Sequence, residues 1–149
     1  MPNRNQNRPN PSTGRSSKMS IDREIIKEVG NLKSSFKSYP IRDLVKHAQE
    51  FGEYLNSQRL QTNQIRKFLD AINRLKVTVT QERDFSKIET EIVLLQPKLA
   101  YAAARQNAAK PLSNVMSKAI DRVEDLEDFD RLVQFIEAIV AYHKAAGGK

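Results

Sequence analysis

The side chains in this chain that could do chemistry are mostly cations, together with one well-placed tyrosine. Lys98, Tyr101 and Arg105 stand at i−3, i and i+4, a spacing that puts all three on one face of a helix. Cations around an aromatic on such a face can hold phosphates while the ring stacks on a base or sugar. A second set lies upstream. At about 100° per residue the apolar side chains of that segment centre near Ile65 and Ile72, which puts Asn63, Lys67, Asp70 and Arg74 opposite them and Arg66 on the flank. Arg66, Lys67 and Arg74 then point outward together, with Arg59 just ahead of them. Each set has a plainer reading: an ordinary solvated face for the first helix, and a core Tyr101 over which Lys98 and Arg105 run their stems for the second.

Charge along the chain favours phosphate contact. The balance of 25 basic to 18 acidic residues gives +7 and a pI near 9.7, but the excess is uneven. Residues 54–81 carry Arg59, Arg66, Lys67, Arg74 and Lys76 against Asp70 alone, and no acid lies between Glu91 and Asp121. Both cation sets fall in these two acid-poor stretches. Residues 20–53 are balanced, and residues 119–149 are net acidic through Asp121, Glu124, Asp125, Glu127, Asp128, Asp130 and Glu137. Such a molecule has two electrostatic faces, one suited to a polyanion and the other to a basic partner.

Other chemistry is poorly served. There is no Cys, so disulfides, thiolate metal sites and cysteine nucleophiles are excluded, and two histidines, His47 and His143, cannot form a zinc cage alone. Each reads as a semi-buried helix histidine. Gly30 and Gly52 are isolated within helical stretches, so no glycine-rich phosphate loop exists. The acidic run Glu124–Asp130 could be imagined around magnesium. Its place just before an apolar helical stripe suits capping and partner contact better. The expectation is no enzyme, no catalytic residues, no metal and no cofactor.

The elements that must position these residues are helices. Apolar side chains recur at i, i+3, i+4, i+7 in six stripes: Ile21–Leu32, Ile41–Leu55, Ile65–Leu75, Phe85–Leu95, Leu112–Val123 and Phe129–Val140. Pro40 and Pro111 fit first helical turns, Thr62 is expected as the N-cap of the third helix, and Gly147-Gly148 closes the last. Pro97 should break or kink the fourth segment. Val77-Thr78-Val79-Thr80 reads as a frayed helix end and loop, since four alternating residues without a partner make no sheet. The predicted fold is all-α, a compact bundle of about five or six helices over residues 20–146, forming one domain. Residues 1–19, with Arg4, Arg8, Arg15 and Lys18 and only Met1 and Met19 as apolar side chains, are expected to be a disordered basic leader. No apolar run spans a bilayer and no secretory signal is apparent, which predicts a cytoplasmic protein.

Three blocks carry a family resemblance. Leu60-Gln61-Thr62-Asn63-Gln64-Ile65-Arg66-Lys67-Phe68-Leu69 resembles the opening of a core helix in the small subunit of type III-A CRISPR effector complexes, the Csm complex. Leu94-Leu95-Gln96-Pro97-Lys98-Leu99-Ala100-Tyr101-Ala102-Ala103-Ala104-Arg105 is similar to that family's proline-lysine-leucine-alanine-tyrosine-alanine block, and Phe135–Lys144 to its C-terminal helix. The resemblance covers about residues 41–144. Ala104 stands where glycine is expected before the arginine, which removes the case for a close backbone approach there.

The resemblance implies a non-catalytic all-α small subunit that stacks in more than one copy inside a ribonucleoprotein used in antiviral defence. Its implied partners are guide RNA and target RNA, the repeated Csm backbone subunit, the large Cas subunit and its own copies, with no membrane. On the residues, Arg59, Arg66, Lys67, Arg74, Lys98, Tyr101 and Arg105 are the candidate RNA contacts, and the acidic C-terminal segment would meet basic protein surfaces. The alternative from another class is a protein-only helical adaptor whose basic face binds an acidic partner.

Overall fold

The computed structural model describes residues 19–149, so the basic leader lies, but for Met19, outside the described residues. Among the described residues seven α-helices follow in order: α1 (Ile21–Gly30), α2 (Ile41–Ser57), α3 (Thr62–Glu82), α4 (Ser86–Val93), α5 (Leu95–Arg105), α6 (Lys110–Ile120) and α7 (Leu126–Ala145). Single 3-10 turns at Phe36–Ser38 and Asn107–Ala109 precede α2 and α6, and no strand occurs among the described residues. The fold is all-α, as the periodicity predicts. None of these helices is long and apolar enough to cross a membrane.

Helix α7 organises the bundle. It packs along α2, crosses α3 and meets the Phe36–Ser38 turn, while α1 joins α6 to α2 and α5 lies on α6. The α2–α7 seam is fully sealed: Phe51, Leu55, Phe135, Ile136 and Ile139 have no solvent exposure. Gly52 permits that approach, since a Cβ there would sit 2.7 Å from the His143 backbone nitrogen and 2.9 Å from the Ile139 carbonyl oxygen. His143 is wholly buried, deeper than the semi-buried place expected, and its Nε2 lies 2.6 Å from the Leu60 carbonyl, tying α7 to the α2–α3 turn. The end of α7 is closed by glycines. Gly147 takes φ +100°, its N–H donates to Lys144 and that of Gly148 to His143, the pairing that satisfies the last orphan carbonyls.

Three local expectations are corrected. The Val77–Thr80 stretch is helical and α3 runs on to Glu82; Val79 is buried, and the hydroxyls of Thr78 and Thr80 donate to the carbonyls of Arg74 and Lys76 four residues back. Burial of Val79 outweighs the weak local preference of β-branched residues for extended chain. Thr62 is the first helical residue rather than the cap; Gln61 takes the N-cap position, with no side-chain capping bond. The interruption expected around Pro97 falls at Leu94, between α4 and α5. Pro97 then occupies the first turn of α5, where its missing N–H would have had no helical partner.

Candidate nucleic-acid interface

Helices α3 and α5 are joined through α4, yet their backbones scarcely approach each other. Two adjoining hollows, of about 350 and 260 Å3, lie between them and share Ala71, Arg74, Leu95 and Lys98. The first also touches Leu75, Leu94 and Glu91, and the second Gln64, Lys67, Phe68, Leu99 and Ala102. This is one groove. Lys67 and Arg74 stand seven residues apart on α3, two turns along the same face, and Lys98 faces them from α5.

The sequence-predicted residues divide into three groups. Lys67, Arg74 and Lys98 line the groove. Tyr101 and Arg105 form a neighbouring pair outside its lining: the tyrosine is 65% exposed, and the Arg105 guanidinium carbon sits 5.8 Å from the ring centroid, within cation–π range. Tyr101 is therefore not a core residue. Arg66 and Arg59 are also exposed but lie elsewhere, Arg66 on the flank of α3 and Arg59 in the α2–α3 turn with φ +68°.

None of Arg59, Arg66, Lys67, Arg74, Lys98 and Arg105 forms an ion pair among the described residues. The pairs present use Lys37, Lys76 and Lys87 instead. Lys76, on another face of α3, is turned toward Glu137 of α7 at 4.0 Å. Among the described residues, Glu91 is the only carboxylate lining the groove. The arrangement can hold anions.

Sequence reasoning missed the floor. Phe68, Leu75, Leu95 and Leu99 each keep 5–7% exposure, beneath Ala71 and Ala102. A usable signal was present: Lys67, Ala71 and Arg74 at i, i+4, i+7 and Leu95, Lys98 and Ala102 at i, i+3, i+7 put a small residue beside each cation.

The acidic end is built differently. Asp128 is fully buried and accepts hydrogen bonds from the Ser35 hydroxyl at 2.7 Å, the Lys37 N–H at 2.6 Å and the Glu124 N–H at 2.8 Å. Asp125 caps α7 by accepting from the Asp128 N–H at 2.9 Å, and it pairs with Lys37. That lysine, with the Asp128 N–H, holds the Asp125 carboxyl below the usual carboxylate range. Arg122 donates to the carbonyls of Val29, Gly30, Leu32 and Ser34, closing the end of α1. Capping was expected for this run; Asp128 itself is too deep to meet a partner, which leaves Glu124, Glu127 and Asp130 as the exposed acids.

His47 is half-buried, and its Nδ1 lies 2.7 Å from the Tyr39 hydroxyl. Burial, with Glu28 and Asp43 nearby, pushes the Tyr39 phenol up, so the hydroxyl stays protonated beside the imidazole. This pair is structural.

The chain's likeness to known proteins bears on the same elements. A family model described as Csm2 Type III-A matches residues 38–149, a span that takes in α2 to α7 and both cation sets. A curated protein of Streptococcus thermophilus, the CRISPR system Cms protein Csm2, is 34% identical over 100 residues, covering 66% of this chain and 78% of that protein. No solved structure matches.

Proposed function

The chain belongs to the Csm2 type III-A family, and from that premise we propose that it serves a type III-A CRISPR effector complex as a non-catalytic subunit lining the path on which guide RNA pairs with target RNA. It stacks in more than one copy between the repeated Csm backbone subunit and the large Cas subunit, in the cytoplasm, and contributes to antiviral defence. Residues 20–146 act as one small-subunit domain. The contacts ignore base identity, because lysine and arginine on phosphates position a duplex without reading it.

One observation carries this reading. Lys67, Arg74 and Lys98, from two helices, converge on one groove with no carboxylate among the described residues paired to any of them. The cations that close the fold find partners within it, Lys37 in Asp125 and Arg122 in four carbonyls. Tyr101, Arg105, Arg66 and Arg59 are further candidate contacts outside the groove lining. Where several phosphates are held at once, affinity depends steeply on salt and little on sequence.

The test is recovery of the chain from its host under mild salt, with mass spectrometry of the bound proteins and sequencing of the bound RNA. Guide RNA together with the other Csm subunits is the expected result. Stable recovery of protein partners with no RNA would overturn the reading in favour of the helical adaptor.

A further inference from the structure

The groove has a feature that phosphate contact leaves unexplained, its apolar floor. A paired duplex presents phosphates and sugars at its surface and keeps its bases in the stack, so cations alone would serve it. Here the cations stand over Phe68, Leu95 and Leu99, all incompletely covered, and the space exists because Ala71 and Ala102 are small where α3 and α5 stand apart.

We propose that the groove between α3 and α5 receives the base of an unpaired RNA nucleotide, while Lys67, Arg74 and Lys98 hold the phosphates on either side of it. This rests on the phosphate-binding reading above and specifies what the groove takes. An unpaired nucleotide supplies both a flat apolar ring for the floor and negative charge for the rim. Gln64 and Glu91 line the groove with groups able to meet polar base edges. Hollows of about 260 and 350 Å3 are on the scale of a small-molecule site, whereas a helix brings a cylinder about 10 Å or more across.

The experiment uses the full chain at low salt with three RNA duplexes of the same sequence: fully paired, carrying a one-nucleotide bulge with 2-aminopurine, and carrying an abasic bulge. The 2-aminopurine bulge should bind about fivefold to tenfold more tightly than either control, the scale of a single stacked base, and its fluorescence should change on binding. Ala71→Leu with Ala102→Leu, which fills the floor, should abolish that preference, with folding checked by circular dichroism. The abasic arm needs no variant and stands whether or not this one folds.

Equal binding of all three probes by the native chain would overturn the proposal. If Lys67, Arg74 and Lys98 changed together to Ala then weakened all three equally, phosphate contact would stand and only the base site would fall. If that variant bound unchanged, both would fall. Binding of an acidic amphipathic peptide in the groove more tightly than bulged RNA, abolished in the double leucine variant, would likewise overturn it and assign the groove to a protein.

Discussion

Two charged regions of this molecule put their ions to opposite uses. At the entrance to α7, Asp125, Asp128, Arg122 and Lys37 are turned on one another and on nearby backbone groups. Along the α3–α5 groove, Lys67, Arg74 and Lys98 have no carboxylate partner among the described residues. The first region is a joint, in which charge is consumed in closing the fold. In the second, the charge meets no carboxylate among the described residues. Composition cannot separate the two, because both read as clusters of ionisable residues; the partners separate them.

Substitutions at the joint should therefore cost stability and spare RNA affinity, and those in the groove should do the reverse. The largest effect is expected for Asp128→Ala, which strands three donors, two of them backbone, in a buried place; a loss of about 3 kcal/mol or more should appear in urea unfolding. Asp128→Asn, which keeps one acceptor, should lose less. A loss under about 1 kcal/mol for the alanine variant would show that the joint is ornamental. Arg122→Ala follows, at about 2 kcal/mol, because four carbonyls near the end of α1 lose a charged donor together.

Asp125→Asn, which keeps a capping oxygen and loses the pair with Lys37, should cost no more than about 1 kcal/mol at neutral pH, the scale of an exposed pair, and its pH dependence has a definite sign. Lys37 and the Asp128 N–H lower the folded-state pKa of Asp125 relative to the unfolded chain. Its contribution is thus complete above the usual carboxylate range and lost as pH falls through the folded value. The stability gap between native and variant should close below about pH 4. A gap that widens there would contradict the assignment. The smallest stability effect belongs to the groove: Lys67→Ala or Lys98→Ala should each shift unfolding by no more than about 0.5 kcal/mol, since neither side chain is buried or paired.

The same contrast explains what the sequence makes legible. Helical periodicity reveals the elements because each stripe is local, and it brings out Lys67 and Arg74 because two turns of one helix return to the same face. That Lys98 faces them depends on the packing of α5 against α6 and of α3 against α7, which no local pattern states. The joint is hidden for a related reason: Asp128 meets Ser35 and Lys37, and Arg122 meets Val29, across 91 to 93 residues. Val77–Thr80 misleads because its local preference is extended, whereas the side chain that decides the matter is Val79, buried by packing elsewhere in the fold.

The central claim, that the groove cations hold phosphates without reading sequence, is tested most directly by salt dependence. Lys67, Arg74 and Lys98 are changed to Ala together, helicity is confirmed by circular dichroism, and RNA of two unrelated sequences is titrated at several salt concentrations, with the free chain and with the assembled complex. Affinity should fall alike for both sequences, and the slope of log affinity against log salt should shrink by about 2 to 3, near 0.7 to 0.9 for each phosphate no longer neutralised. Unchanged affinity with an unchanged slope in the assembled complex would contradict the account.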